Sequence, residues 1–78
     1  MKKTEWILKA SKLATKLGEK GNDPAGKKLA KSYFNLSKEI YPKSTHHIAD
    51  SEASSSLLRT VQKWITKARA GDFDKCFK

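Results

Sequence analysis

A single cysteine, Cys76, excludes an intramolecular disulfide and the disulfide-stapled scaffolds built on one. No apolar run approaches the roughly 20 residues needed to span a bilayer. The amino-terminal stretch MKKTEWILKASK has two lysines but no uninterrupted apolar segment and no small-residue cleavage site, so it does not read as a signal peptide. These absences lead to the expectation of a cytoplasmic protein in a reducing compartment. Arginine is scarce too: only Arg59 and Arg69 among seventeen basic residues. That argues against base-specific reading of DNA, because bidentate contacts to guanine favour the arginine fork.

Catalytic and metal-binding patterns are also missing. There is no glycine-rich phosphate loop, no nucleophile–base–orienter set and no closely paired carboxylates on one helix face. Ser54, Ser55 and Ser56 read as residues of a helix start. His46 and His47, with Asp50, Glu52 and Cys76 as further donors, do not match zinc-ligand spacing. The chain is expected to be neither an enzyme nor a metalloprotein, and no cofactor is implied.

What is abundant is positive charge. The 78 residues carry seventeen basic and eight acidic side chains, a net +9 with a pI near 9.9. The charge is uneven: +6 over residues 1–31, −1 over 32–58 and +4 over 59–78. Such a balance favours an acidic partner, either nucleic acid or an acidic protein surface. An anionic membrane is the weaker choice, because the apolar faces are all needed for folding. At this length the chain is expected to form one domain over 1–78, with a thin core and with function on its outer surface.

The apolar residues follow a helical period throughout. Trp6, Ile7, Ala10, Leu13, Ala14 and Leu17 form one stripe, with Thr4 as N-cap and Gly18 and Gly21 as the stop. A second stripe runs through Ala25, Leu29, Tyr33, Leu36 and Ile40, opened by Asp23 and Pro24 and ended by Pro42. Ala53, Leu57, Leu58, Val61, Trp64, Ile65 and Ala68 make a third, closed by Gly71. The polar link between the last two is expected to include a turn of helix around His46 to Ile48. Phe73, Cys76 and Phe77 at i, i+3 and i+4 add one more helical turn. The expected architecture is all-α: a three-helix bundle with helices at about 4–17, 24–41 and 51–70, and a short C-terminal helical turn.

The lysines fall in rows on these helices. Lys27, Lys31 and Lys38 lie opposite the second stripe, with Phe34 among them. Lys9, Lys12, Lys16 and Lys20 flank the first stripe, where Glu5 is placed to pair with Lys9 at i+4. Arg59, Lys63 and Lys67 follow one another at i+4 on the third helix. One functional reading is a nucleic-acid-binding protein of low sequence specificity. Lys9, Lys12, Lys16, Lys27, Lys31, Lys38, Arg59, Lys63 and Lys67 would hold phosphates, DNA or RNA, and Phe34 would stack on an unpaired base. The other reading is an inhibitor or adaptor docking on an acidic surface of a larger complex, with Leu8, Phe34, Phe73 and Phe77 as apolar anchors. A short, lysine-rich chain of this kind is compatible with a phage or mobile-element accessory protein. Sequence leaves the oligomeric state open, and whether the three rows converge.

Overall fold

A computed structural model describes residues 2–42 and 52–77. Three α-helices, α1 (Lys3–Lys20), α2 (Gly26–Ile40) and α3 (Ser54–Arg69), are followed by a short 3-10 turn, Asp74–Cys76. No strand is present among the described residues. The three-helix bundle with a C-terminal turn expected from periodicity is the observed fold. The expected turn around His46 to Ile48, and a third-helix start at Asp50 or Ser51, lie outside the described residues.

All three stripes bury as their spacing requires. Trp6, Ala10, Leu13 and Leu17 of α1 meet Leu29, Tyr33, Leu36 and Ile40 of α2 and Leu57, Val61, Trp64 and Ala68 of α3 in one core. Trp6 is fully buried, and its indole N–H donates to the Leu36 carbonyl at 3.1 Å. A buried indole without that acceptor would be costly. The same bond joins the start of α1 to the end of α2, so the two helices run antiparallel.

The helix ends differ from the sequence expectation. Lys2, not Thr4, caps α1, without a side-chain bond, and its carbonyl accepts from Trp6 N–H at 2.9 Å. Gly18 lies inside the helix, and Gly21 makes the stop at φ 61°, a backbone conformation that side chains resist. Asp23 and Pro24 do not open α2. Residues 23–25 instead pair with residues 52–54: Ala25 N–H donates to the Glu52 carbonyl at 3.0 Å, and Ser54 donates to the Asp23 carbonyl through both its N–H (2.9 Å) and its hydroxyl (2.8 Å). A backbone engaged in this extended pairing cannot also be the first turn of a helix. So α2 and α3 both begin later than their sequences suggest. Tyr41, leaving the helix at φ −133°, precedes Pro42, which disfavours helical geometry in its neighbour.

At the other end of α3, Asp72 N–H donates to the Lys67 carbonyl at 3.0 Å and Gly71 N–H to Ala68 at 3.1 Å, with Gly71 at φ 93°. This is the Schellman arrangement, and it turns the chain back across the bundle. Phe73 then enters the core, 7% exposed, between Trp6 (6.4 Å between ring centroids) and Tyr41 (5.5 Å). Phe77 is half-buried, 5.8 Å from Trp6. Cys76 is exposed as a residue, and its thiol donates weakly to the Ile40 carbonyl at 3.5 Å. A salt bridge from Lys3 to Asp74 at 2.8 Å fastens the turn over the end of the bundle.

Candidate nucleic-acid interface

The lysines of α1 flank its buried stripe, and the flank they occupy faces α2. Lys9, Lys12 and Lys16 form one wall of a groove of about 570 Å³ between the two helices. Lys28 and Lys38 stand on the opposite wall, with Asn35 and Glu39. Because the helices are antiparallel, Lys9 lies toward the Lys38 end and Lys16 toward the Lys28 end. Leu13, Leu29 and Leu36 make the floor. These leucines are only 3–7% exposed, so a ligand would find charge on the walls and little bare apolar surface below.

The groove is strongly cationic. Five lysines and one carboxylate, Glu39, line it. None of the five lysines is in a salt bridge among the described residues; the expected Glu5–Lys9 pair does not form. All five lysines are exposed residues. Lys38 makes one specific contact: its ammonium lies over the Phe34 ring, 4.7 Å from the centroid. That is a cation–π geometry.

The three rows read from the sequence do not form one surface. Lys9, Lys12, Lys16 and Lys38 converge on the groove. Lys27 and Lys31 are exposed but do not line it, and no residue of α3 lines it, which leaves Arg59, Lys63 and Lys67 elsewhere. Lys20, the last member of the α1 row, is engaged at the end of the helix, donating to the Pro24 carbonyl at 3.4 Å. Phe34 is half-buried and does not line the groove, and one face of its ring is covered by Lys38. Among the apolar anchors, Leu8 is 57% exposed, Phe77 is packed on Trp6, and Phe73 is core.

Lys28 was missed. It sits 100° around α2 from Lys27, outside the row that the sequence drew through Lys27, Lys31 and Lys38. A signal was present, since Lys28, Ser32, Asn35 and Glu39 recur at i, i+4, i+7 and i+11 as a polar strip beside the Leu29–Leu36 stripe. That strip and the α1 lysine row each border a core stripe, which is where two antiparallel neighbours meet.

The titration of Tyr33 is perturbed on the other side of α2. Burial pushes its phenol above the ordinary value of 10.0; a hydrogen bond with Thr60 opposes the shift and the Glu52 charge adds to it. Among the described residues no group of three or more His, Cys, Asp or Glu side chains is placed to hold a metal ion. No helix of the described residues is long and apolar enough to cross a membrane. The fold and this surface define a small basic three-helix protein. Comparison with family models, curated proteins and solved structures finds no match for the chain.

Proposed function

We propose that this protein binds nucleic acid with low sequence specificity, through the lysine-lined groove between α1 and α2. The observation that carries the reading is the convergence of Lys9, Lys12 and Lys16 with Lys28 and Lys38, none of them in a salt bridge among the described residues. Lysine ammonium groups bind phosphates as point charges and release counterions as they do so. The groove holds no arginine, and its floor is closed leucine, so it supplies charge without a means of reading bases.

The test is a fluorescence-anisotropy titration against labelled DNA and RNA at several salt concentrations. With five phosphates neutralised, log K should fall against log salt with a slope of about −4.5 on duplex DNA and about −3.5 on a single strand. Binding that vanishes by physiological salt overturns the proposal. A second reading, an inhibitor or adaptor that docks on an acidic protein surface, is favoured by one observation: Leu8 leaves more than half of its surface in water on the outside of α1. Under that reading, Leu8→Ala weakens partner capture and leaves the salt slope on nucleic acid unchanged.

A further inference from the structure

We infer that the groove takes the sugar–phosphate backbone of a single strand, laid along the helix axes, and does not take a duplex. This rests on the nucleic-acid reading above and adds the form of the ligand. Two features of the groove support it, and a third sets how the bases lie.

The first is that cations stand on both walls. Lys9, Lys12 and Lys16 approach a bound backbone from α1, and Lys28 and Lys38 approach it from α2. A chain lying between them is held from two sides. A duplex is stiff over about 150 base pairs and carries its phosphates on a convex outer surface. It rests on the rim of such a groove, so no extended run of its backbone lies between the two walls. A single strand bends to follow a charged groove, which is the electrostatic part of a sequence-tolerant single-strand site.

The second is length. Lys9 to Lys16 spans roughly 10 Å along α1, and Lys28 to Lys38 roughly 15 Å along α2, at 1.5 Å per residue. At the axial rise of roughly 3.4 Å per nucleotide of a stacked strand, and more for an extended one, this accommodates at most roughly three to four nucleotides.

The third is the absence of an aromatic ring among the groove residues, together with the cover that Lys38 puts over Phe34. Without a stacking platform inside the groove, the bases face outward. Binding therefore depends on backbone charge and conformation, and homopolymers of different base bind alike.

The experiment compares labelled single-stranded dT and dA oligomers of about 12 nucleotides with a duplex of the same length. It is done with the whole protein and two charge-matched triple variants. One is Lys12→Gln/Lys16→Gln/Lys28→Gln, in the groove; the other is Arg59→Gln/Lys63→Gln/Lys67→Gln, on α3. Circular dichroism verifies that both variants remain helical. The expected result is single-strand binding at least ten-fold tighter than duplex binding, with dT and dA within about three-fold of each other. The groove variant should lose at least ten-fold in single-strand affinity and the α3 variant less than about three-fold. Duplex binding as tight as single-strand binding overturns the inference and leaves the nucleic-acid reading standing. An equal loss in the two variants overturns the inference and the groove as the binding site, because net charge alone would then be sensed. No binding to any of the three ligands overturns both.

Discussion

Helix α1 has two flanks, and they meet their neighbours in opposite ways. Toward α3, Gly18 lets Leu58 come close: a Cβ there would sit 3.9 Å from the leucine methyl. Ile7 and Ala14 fall on the same side of α1 as Gly18 by helical spacing, and they, Leu58 and Ile65 are all half-buried against the core. Toward α2 the flank is Lys9, Lys12 and Lys16, facing Lys28 and Lys38, and the seam stays open as a groove. The helix packs more closely against α3 than against α2. Apolar side chains at the margin of a core stripe extend the core outward, whereas lysines there keep their ammonium groups in water and repel one another across the gap. One seam holds the bundle together, and the other is available to a ligand. The α2 and α3 backbones approach each other least of the three pairs, and a ring contact spans them: Tyr33 and Trp64 lie 4.7 Å apart, tilted by 37°. One turn beyond Tyr33 on α2, Ser37 is buried with its hydroxyl unpartnered.

The largest effect is expected where the closed seam is made to resemble the open one. Leu58→Lys with Ile65→Lys places two ammonium groups at the margin of the core, one of them beside Gly18 of α1. Losing those half-buried contacts should cost about 2–4 kcal/mol, read as a lower urea midpoint by circular dichroism. A small domain has little stability to spare, so the double variant should be largely unfolded on mild warming. A change below about 0.5 kcal/mol would mean the two seams contribute alike and would remove the contrast.

A smaller change, of opposite sign, is expected at Ser37 of α2. Ser37→Ala removes a buried hydroxyl that has no partner and adds helix propensity. Stability should rise by about 1 kcal/mol, a Tm increase of roughly 4–8 °C for a chain of this size. A drop in Tm would show that the hydroxyl is satisfied in solution.

The smallest effect concerns Tyr33. Its phenol is held above 10.0 in the folded state, mainly by burial, while the unfolded chain releases the proton near that value. Above about pH 10 the unfolded state therefore binds fewer protons, and stability falls as pH rises. The contribution is complete below that pH and is lost as pH climbs through the folded value. Urea midpoints measured at about pH 9 and about pH 11 should decline more steeply for the native chain than for Tyr33→Phe. Lysine titration is common to both proteins and cancels in the difference. Parallel declines would place the Tyr33 hydroxyl in contact with water.

Much of this architecture was legible in the residue order. The stripes through Trp6 and Leu17, Leu29 and Ile40, and Leu57 and Ala68 bury as their period requires, and Gly21, Pro42 and Gly71 stop or turn the chain as their backbone preferences demand. The start of α2 was not legible, because the residues that displace Asp23 and Pro24 from a helical turn are Glu52, Ala53 and Ser54, about thirty positions away. A local cap signal lost to a long-range backbone pairing. As an apolar residue of the C-terminal turn, Phe73 read as a candidate anchor for a partner. The Schellman turn at Gly71 carries it over Trp6, and that decided the matter.

By itself the sequence determined the helical class, the faces that bury and the excess of positive charge. These depend on residue type and spacing along one helix, which the chain order fixes. Which lysines share a surface was decided only by the tertiary structure. The α1 row meets Lys28 and Lys38, and not Lys27, Lys31 or the α3 row, because of the direction and rotation with which α2 packs beside α1. Those are set by the indole bond from Trp6 to Leu36 and by the fit of buried side chains, and no single helix contains them.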